Sequence, residues 1–289
     1  MHTCAGYNDV KRDRSVGLMK SSFWTRLPIT ILGIPAVIYV LNTGGIIFAG
    51  FVSLVIFLCL YEFYGFKRNN GFHPNYLIGM VMALIICFFY IEYPQPHLAN
   101  IIAGFTFLII LSLFMELFSG KSDPIDNISI TFGGVVYIAI LLGTMIALRN
   151  WDALNGSRFT MSMIFSVWIC DSCAYVFGML WGKKKLIERV SPKKTVVGFV
   201  GGIVGSFVSF YLMNMNGFIQ YDLSLVNIII LTIIVGVCGQ LGDFVESMFK
   251  RDAGVKDSGK LLLGHGGVLD RFDSLIFTSP LVFIFVSYL

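Results

Sequence analysis

Between Asp243 and Asp273 the chain carries six acidic and six basic side chains, counting His265, inside a sequence that is otherwise strongly apolar. Asp243, Ser247 and Lys250 fall at i, i+4 and i+7, so a helix lines them on one face, with Glu246 and Arg251 flanking it. Gly264-His265-Gly266-Gly267 lacks the side chains a helix needs and lets the backbone approach a ligand closely. Asp270 and Asp273, at i and i+3, then open the last apolar run. Carboxylates with hydroxyl support suit a hard cation such as Mg²⁺, and the bases suit phosphate oxygens. Together they predict a metal-assisted phosphate site at a membrane face.

Two further groups belong with this stretch. Asp171 lies near the middle of an apolar run, where an ionisable residue costs about 2.5–3.5 kcal/mol on insertion scales and is functional by default. The competing reading is a buried Asp bonded to a neighbouring helix for packing alone. Ala174, Gly178 and Gly182 follow it at four-residue steps, a small-residue strip for close helix approach. Ser191-Pro192-Lys193-Lys194-Thr195 opens the next apolar run, where Pro is expected near a helix start and two lysines at a membrane edge are ordinary. His265 sits between glycines beside acids and bases and reads as a phosphate contact. The other histidines, His2, His73 and His97, lie too far away in sequence to suggest zinc.

The elements that must hold these residues are membrane helices. The 289 residues are 56% hydrophobic and only 13% charged, with a mean hydropathy of +0.79; soluble chains carry about 25% charge. Nine apolar runs read as spans, near 27–42, 46–66, 76–91, 101–118, 128–148, 160–181, 196–213, 225–242 and 272–289. The first, with Pro28, Pro35 and the Asn42-Thr43-Gly44-Gly45 link, also suits a re-entrant hairpin. The expected fold is therefore an all-α, polytopic helical membrane protein of about nine transmembrane helices. Its expected divisions are a cytoplasmic segment 1–26, transmembrane helices over 27–158, and a catalytic transmembrane region over 159–289. Nineteen of the 21 Lys and Arg, all but Arg149 and Arg158, fall on one side of this layout, which predicts a cytoplasmic N-terminus and a cytoplasm-facing polar site. No cleavable signal peptide is expected, nor a disulfide framework, since all six cysteines but Cys4 lie in apolar runs. Glu62 and Glu116, near the inner ends of their runs, read as structural residues that snorkel or pair with Arg.

The motifs also carry a resemblance. Ser247-x-Phe249-Lys250-Arg251-x4-Lys256-Asp257-x-Gly259, then His265-Gly266-Gly267-x-x-Asp270-Arg271-x-Asp273, resembles the signature of the phosphatidate cytidylyltransferases, or CDP-diacylglycerol synthases. Asp171 through Tyr175 to Gly178 is similar to a second motif of that family, and Ser191–Thr195 to a third. Leu263 stands where a small residue or proline is usual, and Val197 where a Glu is usual. The resemblance implies that CTP and phosphatidate give CDP-diacylglycerol and pyrophosphate, with Mg²⁺ and conceivably a second, monovalent cation. Under it Asp243 and Asp270 are the principal metal ligands, and Asp273 is a ligand or one step removed. Lys250, Arg251, Lys256 and His265 hold phosphates, and Asp257 orients a base or a bound water. Asp171, Tyr175, Ser191, Lys193, Lys194, Thr195, Ser247, Gly266, Gly267 and Arg271 contact substrate. The lipid phosphate, with its second pKa near 6, is already largely a dianion at pH 7, so the obstacle is charge repulsion rather than proton removal.

The expected partners are CTP, phosphatidate and membrane lipids, without nucleic acid; a homodimer is left open. Two other functions suit parts of the pattern. A CTP-dependent lipid or polyprenol kinase would share CTP and basic loops but yield a lipid phosphate and CDP. A transporter would explain Asp171, although transporters place their sites near the midplane between paired, interrupted spans. Here charge gathers at one face in the last third of the chain, which disfavours transport.

Overall fold

A computed structural model describes residues 33–68, 70–93, 98–152, 155–259, 261 and 266–289. Every regular element among them is a helix: α1 (Gly33–Thr43), α2 (Gly45–Arg68), α3 (Tyr76–Ile91), α4 (Leu98–Leu117), α5 (Pro124–Asn150), α6 (Gly156–Trp181), α7 (Val196–Met215), α8 (Leu225–Asp252) and α9 (Leu269–Ser287). The helices follow the apolar runs because only a helix satisfies its own backbone groups in hydrocarbon. Six of them, α2 and α4 to α8, are long and apolar enough to cross a membrane. The chain is thus an all-α polytopic membrane protein. The expected count of nine spans meets two shorter apolar helices, α1 and α3, and α9, whose first turn carries charge. Residues 27–32 of the first expected span lie outside the described residues.

Side-chain contacts sort the helix ends into two groups. At one end Lys67 of α2 pairs with Asp252 of α8. At the other, Arg149 at the end of α5 donates through Nε to the Leu41 carbonyl at 2.7 Å, and Ser157 of α6 donates to the same oxygen at 3.1 Å. These donors satisfy a carbonyl that the end of α1 would otherwise leave orphaned. Gly44 and Gly45, with φ of +65° and +53°, then turn the chain into α2. Arg149 and Arg158 thus sit at the end opposite the basic helix termini at Lys67-Arg68 and Lys250-Arg251.

Among the described helices α6 and α7 make the most extensive contact, and their seam is made of small residues. A Cβ on Gly198 would lie 2.6 Å from the Ala174 carbonyl oxygen, on Gly201 2.7 Å from Phe177 Cβ, and on Gly205 2.7 Å from Cys173 Sγ. Backbones approach this closely only where side chains are missing. Gly198→Val should therefore push α6 and α7 apart and lower stability by about 1–3 kcal/mol. Thermal melting in detergent reads the loss, and an unchanged melt would mean that the seam tolerates volume.

Candidate active site

Three stretches converge at the end of the bundle that holds Lys67 and Asp252. The first is the link between α6 and α7, which is a short hairpin rather than a loose basic loop. Lys185 and Thr195 form an antiparallel bridge; the Leu186 amide donates to the Lys194 carbonyl at 3.1 Å, and the Val196 amide to that of Lys184 at 3.0 Å. Thr195 closes it by accepting from the Gly198 amide at 3.1 Å, so its hydroxyl caps α7. The hairpin carries Lys194 onto Asp243 of α8 as an ion pair, with its ammonium also 4.5 Å from the centroid of the Phe244 ring.

The second stretch is the last three turns of α8. Ser247 Oγ lies 3.5 Å from Asp243 Oδ1, along the face expected from their spacing. Glu246 is fully buried, and the Lys250 ammonium sits 2.5 Å from its Oε2 and 2.7 Å from Asp270 Oδ1. Arg251 turns away, donating to the Val190 and Val255 carbonyls at 3.3 Å each, and so ties the hairpin to the loop after α8.

The third is that loop with the first turn of α9. Asp270 accepts from the Gly267 amide at 2.8 Å and the Ser258 amide at 3.0 Å, besides Lys250. From α2, Glu62 accepts from the Ser258 hydroxyl at 2.9 Å, the Val268 amide at 3.0 Å and the Leu269 amide at 2.9 Å. Asp273 is buried one turn into α9, within electrostatic range of Asp243, Glu246 and Asp171.

These stretches enclose a cavity of about 560 Å³. Its polar wall contains Asp171 and Tyr175 from α6, Lys193, Lys194 and Thr195 from the hairpin, Asp243 from α8, and Asp270, Arg271 and Asp273 from α9. Its apolar wall contains Trp168, Met179, Leu186, Phe199 and Phe244. Nine of the expected site residues therefore share one space. Ser191, Ser247, Lys250, Arg251, Lys256, Asp257, Gly266 and Gly267 are not among its lining residues. Lys250 faces carboxylates, and Lys256 and Asp257 are exposed. His265, like Leu263, lies outside the described residues.

Four residues at this end were not among the expected site residues: Glu62, read from the sequence as structural, Glu246, read as flanking the helix face, Gln240 and Ser258. Gln240 follows the π-helical stretch Ile234–Gly239, donates to the Phe199 carbonyl at 3.0 Å and lines the cavity. Glu246 was signalled by its i,i+4 spacing to Lys250. Ser258 sat in plain view between Asp257 and Gly259. Glu62 and Glu116 do make structural bonds, but to neutral partners. Glu116 accepts from Asn127 at 2.7 Å, and Glu62 from the three donors above.

Among the described residues no three His, Cys, Asp or Glu draw together as a ready-made metal cluster. The donor chemistry of the wall nevertheless fits a hard divalent cation. Four carboxylates, Asp171, Asp243, Asp270 and Asp273, line one cavity, and neither His nor Cys is among its described lining residues. Mg²⁺ in phosphoryl-transfer sites is held by one or two carboxylates plus substrate phosphates, so a preassembled triad is not required.

Comparison with known proteins places the chain in a family. The model of the Cytidylyltransferase family matches residues 24–289. The chain is 34% identical to a phosphatidate cytidylyltransferase of Synechocystis over 91% of this chain and 96% of that one. It is 36% identical to one of Staphylococcus saprophyticus over 84% and 91%, and 33% identical to one of Staphylococcus epidermidis over the same shares. With a family match running from residue 24 to residue 289, and relatives more than 30% identical over most of both chains, the chain belongs to the cytidylyltransferase family.

Proposed function

We infer that the chain is an integral-membrane phosphatidate cytidylyltransferase, joining CTP and phosphatidate into CDP-diacylglycerol and pyrophosphate. The observation that carries this reading is the two-sided cavity, with cations and carboxylates on one wall and aromatic and aliphatic side chains on the other. A lipid phosphate ester needs both at once. Tyr175 and Met179 line the cavity yet are 70% and 64% exposed on a helix long enough to span the bilayer. That exposure favours lateral entry, with acyl chains remaining in hydrocarbon.

In the reaction a phosphatidate oxygen attacks the α-phosphorus of CTP, and the bond to the departing pyrophosphate breaks. Lys193, Lys194 and Arg271 on the wall bind the phosphate oxygens, relieve repulsion between dianion and triphosphate, and hold attack in line with departure. Asp243 and Asp270, with Asp273 beside them, would hold Mg²⁺. When bound, that ion supplies charge neutralisation and Lewis acidity at phosphate oxygens. Lys194 bridges both roles, since its ammonium rests on Asp243 and can be drawn to an incoming phosphate. A monovalent cation beside Mg²⁺ and a homodimer remain part of the reading. So do nine spans, a catalytic region over 159–289 and a cytoplasmic site; the cavity wall, drawn wholly from residues 168–273, supports the division.

The test is incubation with labelled CTP, Mg²⁺ and phosphatidate. Label should enter extracted lipid only with phosphatidate present, with stoichiometric pyrophosphate. CDP release instead would convict the kinase alternative. In sealed vesicles, external CTP should be used only by inside-out preparations; use by right-side-out vesicles would reverse the orientation.

A further inference from the structure

We propose that Glu62 is a positioning residue for this reaction, reaching from α2 in the N-terminal half to set the shape of the loop that presents Asp270. The proposal rests on Asp270 working at the reaction centre.

Glu62 is 4% exposed, and among the described residues its three hydrogen bonds go to partners 196 to 207 positions away. Oε1 accepts from the Val268 amide, and Oε2 accepts from the Leu269 amide and the Ser258 hydroxyl. The two amides open α9, so the carboxylate caps that helix from outside it, where negative charge is favoured. Two glycines of the loop are fitted to the same group. A Cβ on Gly267 would lie 2.5 Å from Glu62 Oε2, and one on Gly259 would run into Oε1.

The residues that Glu62 clasps are also the ones that hold Asp270. Ser258 gives its amide to Asp270 at 3.0 Å, while its hydroxyl accepts from the Asp270 amide at 3.3 Å and donates onward to Glu62. Gly267, which gives its amide to Asp270 at 2.8 Å, immediately precedes Val268. Two carboxylates therefore span one gap, between Ser258-Gly259 and Gly267–Leu269. Asp270 faces the cavity side of that gap, and Glu62 closes its back. Loosening the clasp lets the gap vary, and with it the direction of the Asp270 carboxylate.

Glu62→Gln tests this at constant volume. A glutamine has one acceptor oxygen and turns an NH₂ toward one set of donors, so it cannot replace both sides of the clasp. The expected result is a fall in kcat of about 10- to 100-fold, the usual cost of losing an outer partner at a metal site. Half-saturating Mg²⁺ should rise, while KM for phosphatidate stays nearly unchanged. Ser258→Ala should shift kcat and Mg²⁺ demand in the same direction. Because both variants act through one hydrogen-bonded chain, Glu62→Gln with Ser258→Ala should cost less than the product of the two single losses. If Glu62→Gln does not fold, Ser258→Ala alone must still raise the Mg²⁺ requirement.

Wild-type kcat and Mg²⁺ dependence in both variants would overturn the proposal. So would a lowered melting temperature with unshifted Mg²⁺ demand, which is the signature of a support that does not aim Asp270. Asp270→Asn, run in parallel, keeps the two ideas apart. A silent Glu62→Gln beside a crippled Asp270→Asn rejects the positioning role alone, whereas full turnover by Asp270→Asn rejects the site assignment and this role with it.

Discussion

Asp243→Asn should leave the protein folded in detergent and reduce cytidylyl transfer by more than roughly 100-fold, since even outer partners of a metal site cost about 10–100-fold. The substitution keeps the shape and one acceptor oxygen but removes the charge a hard cation requires. Little else depends on that carboxylate. It pairs with Lys194 across the cavity, its side chain is 31% exposed, and its hydrogen bond from Ser247 is long. Asp270→Asn should lose activity to a similar degree but also lower the melting temperature. Asp270 accepts from Lys250, Ser258 and Gly267, and an amide cannot satisfy all three. Asp171→Asn should reduce turnover more mildly and melt no lower, because neutralising a carboxylate inside a span removes an insertion cost of about 2.5–3.5 kcal/mol. Turnover and melting followed together across a Mg²⁺ titration separate the three. Wild-type turnover of Asp243→Asn at limiting Mg²⁺ would remove it from the metal assignment.

That contrast between Asp243 and Asp270 was invisible in the sequence, where both were carboxylates near the ends of apolar runs. Much else was legible, because hydrocarbon imposes helices and helices impose length; the apolar runs from 46–66 onward coincide with helices to within a few residues, except that α8 continues past 242 to Asp252. The grouping of Asp171, Lys193, Lys194, Asp243, Asp270 and Asp273 could also be expected from motif resemblance, and all six share the cavity wall. What could not be read was how each ion is partnered. Arg251 resembles a phosphate ligand by type and place, yet its guanidinium holds two backbone carbonyls of neighbouring loops. Glu62 lies in a run that any hydropathy reading assigns to the bilayer, and its donors are some 200 residues away. No local pattern encodes such a pairing, since it depends on how α2 packs against the start of α9. The π-helical stretches Val135–Ile140 and Ile234–Gly239 likewise have no composition signal, although the second sets the rotation at which Gln240 and Asp243 leave α8.

Lys250 gives the largest expected effect on stability. Its ammonium lies between Glu246 and Asp270, and the three side chains are only 11%, 0% and 13% exposed. Among the described residues Glu246 Oε1 has no hydrogen-bond donor and Oε2 meets the Lys250 ammonium, so the lysine charge is what offsets its burial. Lys250→Met keeps the length and apolar stem but strands that carboxylate. Removing one partner of a buried pair typically costs about 3–5 kcal/mol, because the remaining charge has lost its compensation. A surface lysine would cost well under about 1 kcal/mol, so melting in detergent decides between the two. Glu246→Leu in the Lys250→Met background should recover most of the loss, since a well-packed apolar pair often matches a buried ion pair. Activity should not return with it, because Asp270 still lacks the ammonium that holds its Oδ1. Recovery of melting without turnover would separate the fold's need for Lys250 from the site's need. An unchanged melt for Lys250→Met alone would mean that Glu246 is not charged in the folded protein and that the pair contributes nothing to its stability.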